Sequence, residues 1–147
     1  MPRLLVVHHT PSPGMQALLE AVRDGAAMVE EVETVVHPAL SATASDLLAA
    51  DGVLLGTPAA IGYMSGALKH FFDTVYYPCQ DATAGLPYGL WVHGGDDTTG
   101  AVRAVEKIAG GLRWRPAAAP LSLTGPPDRD ALEACRELGG TLAATLL

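Results

Sequence analysis

The sequence is poor in cysteine, in basic residues and in long apolar runs, and each shortage excludes a class of protein. Its two cysteines, Cys79 and Cys135, are too few for a disulfide framework and show no metal-ligand spacing. Nine basic residues against 16 acidic ones leave a net charge of -7, which argues against nucleic acid as a partner. No apolar stretch approaches the ~20 residues that span a bilayer, so we expect no membrane association.

Histidine patterns and the amino terminus add two further exclusions. The five histidines have no i, i+4 pair on a helix and no other ligand spacing, so we expect no metal site. The apolar run Leu4–Val7 is too short for the hydrophobic region of a signal peptide. We therefore expect the protein to stay in the cytoplasm, with both cysteines as reduced thiols.

Length and composition indicate one folded unit. A chain of 147 residues has the usual size of one domain, and 49% hydrophobic residues suffice for a single core. The Gly/Pro-rich patches around residues 83 to 89 and 124 to 128 are typical of loops within a domain. We predict a single domain over residues 1–147.

Apolar runs and helical spacings alternate along the chain. Short runs rich in Val, Leu and Ala predict strands at residues 4–7, 32–36, 53–55, 90–92 and 117–123. Between them, apolar residues at i, i+3, i+4 and i+7 predict helices. We expect one to end near Gly25, one over Ser45–Ala50, one from the N-cap Ser65 to Pro78 with Cys79 in the next loop, and one ending at Gly110-Gly111. A last helix begins at Asp130 and Glu133, which have capping-box spacing, and carries Cys135 on its apolar face.

Strands that alternate with helices predict a doubly wound α/β fold. The crossovers are right-handed, so the helices cover both faces of a parallel sheet, and the common five-strand order is 2-1-3-4-5. Ligands of such sheets bind at the carboxyl ends of the strands where the order reverses. We therefore expect function in the loops after the first, third and fourth strands.

The loop at residues 8–16, HHTPSPGMQ, leads from the first strand into the first helix. The start of a helix exposes unpaired N–H groups and positive dipole charge, which bind phosphate without a basic side chain. Thr10 and Ser12 add hydroxyl groups, and Ser12, Gly14, Met15 and Gln16 are the N–H donors. An N-cap at Ser12 followed by Pro13 explains the same pattern without a ligand, and the two readings are equally supported.

The two other loops suit a flat ligand. The loop at residues 56–66, GTPAAIGYMSG, combines glycines that allow close backbone approach with Ile61, Tyr63 and Met64, which can cover a ring. The loop at residues 93–100, HGGDDTTG, places Gly94-Gly95 on the far side of the same crevice. An ordinary strand-to-helix connection, with Asp97 or Thr98 as N-cap, is the alternative.

The stretch LLAADGVLLGTPAAIGYMSGALKHFFD, residues 47 to 73, resembles the flavodoxin-like NAD(P)H-dependent FMN reductases and the quinone oxidoreductases similar to the tryptophan-repressor-binding protein. The resemblance extends less sharply to residues 3–22 and 90–112. It implies a flavodoxin-like fold, FMN as cofactor and NAD(P)H as transient co-substrate. Members commonly form dimers or tetramers, and nothing in this sequence fixes the number.

The resemblance also implies a set of site residues, carried over by position. The phosphate would be held by Thr10, Ser12, Gly14, Met15 and Gln16. The ring would be faced by Pro58, Ala59, Ala60, Ile61, Gly62, Tyr63 and Met64, and closed by Gly94, Gly95 and Asp96. Three positions depart from the family pattern: Pro13 replaces a loop glycine, Met15 a hydroxyl or β-branched residue, and Tyr63 a frequent Asn.

The flavin itself carries the redox chemistry in such proteins, so we expect no catalytic acid or base. The sequence predicts an FMN-dependent oxidoreductase that uses NAD(P)H to reduce flavin or a quinone-like small-molecule acceptor. An electron-carrier flavodoxin is one alternative, favoured by the small size and acidic charge. A flavodoxin-like binding module that has lost FMN is the other, and Pro13 keeps it open.

Overall fold

The computed structural model describes residues 1–147, and strands and helices alternate along the whole chain. None of the helices is both long and apolar enough to cross a bilayer. The elements in chain order are β1 Arg3–His8, α1 Pro13–Ala27, β2 Glu33–Pro38, α2 Ala44–Leu48, β3 Gly52–Ala60, β4 Tyr63–Met64, α3 Gly66–Cys79, β5 Pro87–Gly94, α4 Thr99–Gly111, β6 Arg115–Pro116, β7 Leu121–Thr124 and α5 Arg129–Thr145.

The main sheet is parallel and has the order β2-β1-β3-β5, with β6 and β7 both paired to the outer edge of β5. If β6 and β7 are counted as two parts of the predicted fifth strand, the order is 2-1-3-4-5, which confirms the predicted doubly wound fold. β4 stands apart because it runs antiparallel to the end of β3. The carboxyl ends of β1, β3, β5 and β7 therefore meet at one edge of the sheet.

Two cores lie on opposite faces of this sheet because successive strand side chains alternate in direction. In β1, Leu4 and Val6 enter the core beneath α1 and α5, whereas Leu5 and Val7 enter the core beneath α2, α3 and α4. Burial on both faces explains why the central strands are continuous apolar runs.

The fifth predicted strand, residues 117–123, is the clearest departure. The structure instead has β6 at Arg115–Pro116 and β7 at Leu121–Thr124, with residues 117–120 outside either strand. Pro116 and Pro120 have no N–H to donate to the ladder, so the pairing with β5 is interrupted between them.

Two helix ends also differ from expectation. α3 continues one residue past Pro78, so Cys79 is a buried helical residue rather than a loop residue. Its position four residues after Val75 places it on the same apolar stripe. α5 begins two residues before the expected capping box: the N-cap is Asp128, whose carboxylate accepts from Ala131 N at 2.8 Å.

Candidate functional site

The turn from β1 into α1 is capped by its own side chains. Ser12 is the N-cap of α1, and its hydroxyl oxygen accepts from the Met15 N–H at 3.2 Å. Pro13 occupies the first helical position, where a missing N–H costs nothing and its fixed φ suits the helix. The N-cap at Ser12, which the sequence offered as the alternative to a phosphate site, is therefore present.

Capping leaves several main-chain donors of this turn unused. The Gln16 N–H bonds to Ser12 O at 3.0 Å and the Met15 N–H to the Ser12 hydroxyl. The N–H groups of Thr10, Ser12 and Gly14 make no hydrogen bond within the protein. These half-buried residues thus present unpaired donors at the positive end of the α1 dipole, an arrangement suited to an anion.

His8 shares this turn through the Thr10 hydroxyl, which lies 2.7 Å from its Nδ1. Burial, and then the positive charges of Arg23 and His9, lower the pKa of His8, which favours the neutral ring. The first turn of α1 holds no acidic residue that would repel an anion.

The segment predicted as a second loop is a β-hairpin. β3 runs through Pro58 to Ala60, and β4 returns antiparallel with Ala60 opposite Tyr63 and Ala59 opposite Met64. Its two-residue turn has positive φ at both central residues, 50° at Ile61 and 75° at Gly62, as in a type I′ turn. Main-chain pairing therefore holds residues 58–64 in a fixed hairpin at the end of β3. We call this hairpin the ledge.

Thr57 anchors the base of the hairpin. Its buried hydroxyl donates to Pro58 O at 2.8 Å and accepts from the Ser65 N–H at 2.9 Å, so it ties β3 to the N-cap of α3. The ledge itself is exposed: Ile61 is fully exposed and Tyr63 is 42% exposed. An apolar surface thus stands free beside the sheet edge.

The third loop packs against this hairpin at two glycines. A Cβ built on Gly94 would lie 3.2 Å from Ala59 Cβ, and one built on Gly100 would overlap the Gly62 carbonyl oxygen. Thr98 is the N-cap of α4 without a side-chain bond, while Asp97 accepts from the Thr99 N–H at 2.9 Å. That bond lowers the pKa of Asp97. The second and third loops can therefore pack closely together because neither of these two glycine positions carries a side chain.

The predicted site residues accordingly form two groups. One is the turn at residues 8–16, the other is the hairpin with the loop after β5, and the end of β5 lies between them. Pro58 is in register with His93, and a Cβ at Gly94 would lie 3.2 Å from Ala59 Cβ. On the other side, His93 Cε1 would lie 3.3 Å from a Cβ at Gly14. Two predicted residues, Met15 and Met64, have side chains buried in the cores, so only their main chains reach this edge. The Gln16 side chain is turned to Glu20, at 3.2 Å.

A fourth segment at this edge was not among the predicted site residues. The Gly125–Asp128 turn after β7 lies beside Gly14, where Pro127 Cδ would be 3.4 Å from an added Cβ, and Gly125 O lies 2.7 Å from His93 Nε2. The sequence offered one signal for His93, its place at the end of a strand. The Gly/Pro-rich turn looked like an ordinary loop, and only the pairing of β7 with β5 brings it here.

The largest cavities lie elsewhere. One of about 530 Å³ is at the amino ends of the strands beside Met1 and Asp51, and one of about 590 Å³ is between α1 and α5 near Met28. A cavity of about 280 Å³ adjoins the Gly125–Asp128 turn. The carboxyl edge is the place where free main-chain donors and an exposed apolar ledge coincide.

Known proteins with this fold include flavodoxins and related flavoproteins. A flavodoxin from the domain Archaea superposes with a TM-score of 0.85 at 18% identity and covers 98% of both chains. The WrbA-like flavodoxin of Agrobacterium tumefaciens gives 0.79 at 19% identity over 99% of this chain and 98% of that one. At these identities the likeness establishes the fold.

Sequence comparison is more specific. A protein named flavodoxin from Aquifex aeolicus (strain VF5) is 35% identical over 75 residues, which are 51% of this chain and 40% of that protein. The family described as NADPH-dependent FMN reductase matches residues 7–120, which include all three predicted loops. The chain therefore belongs to the NADPH-dependent FMN reductase family, and it is a flavodoxin-like protein with FMN as its cofactor.

Proposed function

We propose that this protein is an FMN-dependent oxidoreductase that uses NAD(P)H to reduce free flavin or a quinone-like acceptor. The observation that carries the proposal is the coincidence, at one sheet edge, of three unpaired N–H groups and an exposed apolar hairpin. FMN needs both features, since its phosphate requires donors and its ring requires an apolar surface.

The phosphate end would be held by main-chain groups. Thr10, Ser12 and Gly14 would donate their free N–H groups, while Met15 and Gln16 complete the first turn of α1 that carries the dipole. Pro13 removes one donor but fits the first helical position, so it does not require the turn to rearrange. The residues present therefore fit a phosphate without lysine or arginine.

The ring end would lie between the hairpin and the loop after β5. The hairpin residues Pro58 to Met64 would face one side, with Ile61 and Tyr63 as the exposed apolar contacts. Gly94, Gly95 and Asp96 would close the other side, and Gly95 has open space in place of a side chain. When bound, FMN supplies hydride acceptance and onward electron transfer, so the chain contributes position and electrostatics.

Electron carriage is the second candidate function. The relative from Aquifex aeolicus is named a flavodoxin, and the alignment reaches 40% of its length. An electron carrier would accept electrons from a partner protein and would not oxidise nicotinamide by itself.

Two measurements separate these functions. We expect purified protein, or apoprotein titrated with FMN, to show bound-flavin absorbance and fluorescence quenching. We then expect steady oxidation of NADH or NADPH when a quinone or free FMN is added. Bound flavin without nicotinamide turnover would favour the electron carrier, and no quenching at high micromolar FMN would refute both redox functions.

A further inference from the structure

His93 is tied into the sheet edge by one ring nitrogen. Its Nε2 lies 2.7 Å from Gly125 O, and a carbonyl oxygen can only accept, so Nε2 carries the hydrogen. In the neutral ring Nδ1 therefore holds a lone pair, and protonation places a second N–H there. No protein group is hydrogen-bonded to Nδ1.

The Cε1 edge of this ring lies beside the start of α1. Cε1, the carbon between the two ring nitrogens, would lie 3.3 Å from a Cβ at Gly14, whose N–H is one of the unpaired donors. Residues 8–16 contain no lysine or arginine, so this turn has no permanently charged cation of its own. A half-buried imidazole beside unpaired amides can supply a charge-assisted hydrogen bond to an anion.

We propose that His93 is a phosphate-positioning residue, which binds the FMN phosphate through its protonated ring while Nε2 holds the Gly125–Asp128 turn. The inference rests on the proposed function, since it requires the phosphate at the start of α1. It assigns to His93 a role that the backbone donors do not have, namely a preference for the phosphate that depends on pH.

Each element that meets this ring also carries charged or titratable groups. His8 and His9 precede the α1 turn, and His8 has a lowered pKa because of burial, Arg23 and His9. Asp128 is bonded to Ala131 N at 2.8 Å in the first turn of α5, where Arg129 and Asp130 follow. On the loop after β5, the carboxylates of Asp96 and Asp97 accept main-chain N–H groups.

The test compares FMN with riboflavin, which has the same ring and no phosphate. His93→Gln keeps an N–H donor for Gly125 O and removes the ionisable ring, and His70→Gln on the exposed surface of α3 is the matched control. Dissociation constants are measured by flavin fluorescence quenching at pH 6.0 and pH 8.5. We expect His93→Gln to weaken FMN about tenfold at pH 6.0 and much less at pH 8.5, with riboflavin unchanged.

The FMN phosphate titrates near pH 6 itself, so the readout is the difference between wild type and His93→Gln. Calorimetry of the wild-type protein at pH 7.5, where the FMN phosphate is already a dianion, in buffers of different ionisation enthalpy gives a second measure that needs no folded variant. Greater proton uptake with FMN than with riboflavin supports the inference.

Three results would overturn it: equal loss of FMN and riboflavin, unchanged FMN affinity in His93→Gln, or no difference in proton uptake between the ligands. In each of these cases the wild-type protein still binds FMN and the proposed function stands. Failure of the wild-type protein to bind FMN would instead refute the proposed function, and the inference with it.

Discussion

Ile61 occupies a backbone conformation that its side chain disfavours. Its φ of 50° lies in the left-handed region, where a β-branched residue is rare because Cβ crowds the following carbonyl. The side chain is fully exposed, so packing within the protein does not offset this strain. Strained residues of this kind cluster at ligand contacts, which agrees with the proposed role of the hairpin tip.

Replacing Ile61 with Asn should separate stability from ligand binding. Asn-Gly is the preferred pair for such a turn, so we expect Ile61→Asn to raise the unfolding free energy by about 1 kcal/mol. FMN affinity should fall, since the apolar contact with the ring is lost. Urea unfolding and FMN titration measure the two effects, and a destabilised variant would contradict the strain argument.

Thr57 gives a second prediction at the residue scale. In Thr57→Val the Ser65 N–H loses its acceptor and remains buried, so the unfolding free energy should fall by about 1–3 kcal/mol. Thr57→Ser keeps the hydroxyl and serves as control, with a smaller loss. Denaturation of the two variants side by side measures the hydroxyl's contribution, and equal losses would contradict the prediction by showing that the methyl group contributes as much as the hydroxyl.

At the scale of elements, the hairpin and α4 depend on each other's position. They meet where Gly100 approaches the Gly62 carbonyl, in a gap too narrow for any side chain. The third loop leads into the start of α4. A shift of this helix start would therefore move the third loop and the hairpin, which are the two sides of the predicted ring site.

Gly100→Ala should therefore weaken both stability and flavin binding. The added Cβ would meet backbone, which cannot yield as a flexible side chain does, and we expect a loss of about 1–3 kcal/mol. Gly110→Ala is the control on the same helix: its Cβ would meet nothing within 4 Å, and we expect unchanged or slightly higher stability. Thermal unfolding and FMN titration of both variants test this, and equal behaviour would contradict it.

At the scale of the whole molecule, the two cores isolate both thiols from solvent. Cys135 lies in the core beneath α1 and α5, and burial raises its pKa from the ordinary 9.0 to about 12. Burial also raises the pKa of Cys79 in the opposite core. Each thiol is thus harder to ionise in the folded protein than in the unfolded chain.

This difference predicts a loss of stability at alkaline pH. The contribution of Cys135 is fully present below pH 9, and it is lost as pH rises toward 12 because only the unfolded chain releases the proton. We expect the unfolding free energy of the wild-type protein to fall more steeply over that range than that of Cys135→Ala. Urea unfolding from pH 8 to pH 11 measures both slopes, and parallel slopes would refute the prediction.

Much of the architecture followed from local patterns. The apolar runs at residues 4–7, 53–55 and 90–92 lie within strands β1, β3 and β5, and the helical spacings of Leu68, Phe71 and Val75 mark a helix face that is buried. These patterns are readable because burial on a strand or a helix repeats with a fixed period. The Ser12 cap was readable for a similar reason, since its hydrogen bond spans three residues.

Contacts between distant segments were decided only by the tertiary structure. No local period indicates that Thr57 binds the Ser65 N–H, that Gly100 fits under Gly62, or that His93 meets Gly14 and Gly125. The burial of Met15 and Met64 likewise depends on which helix covers which strand. The sequence alone determined the alternation of strands and helices and the sheet edge at which we propose that FMN binds, because these follow from periodicity and chirality. The geometry of the site arose only when strand order brought four separate turns together.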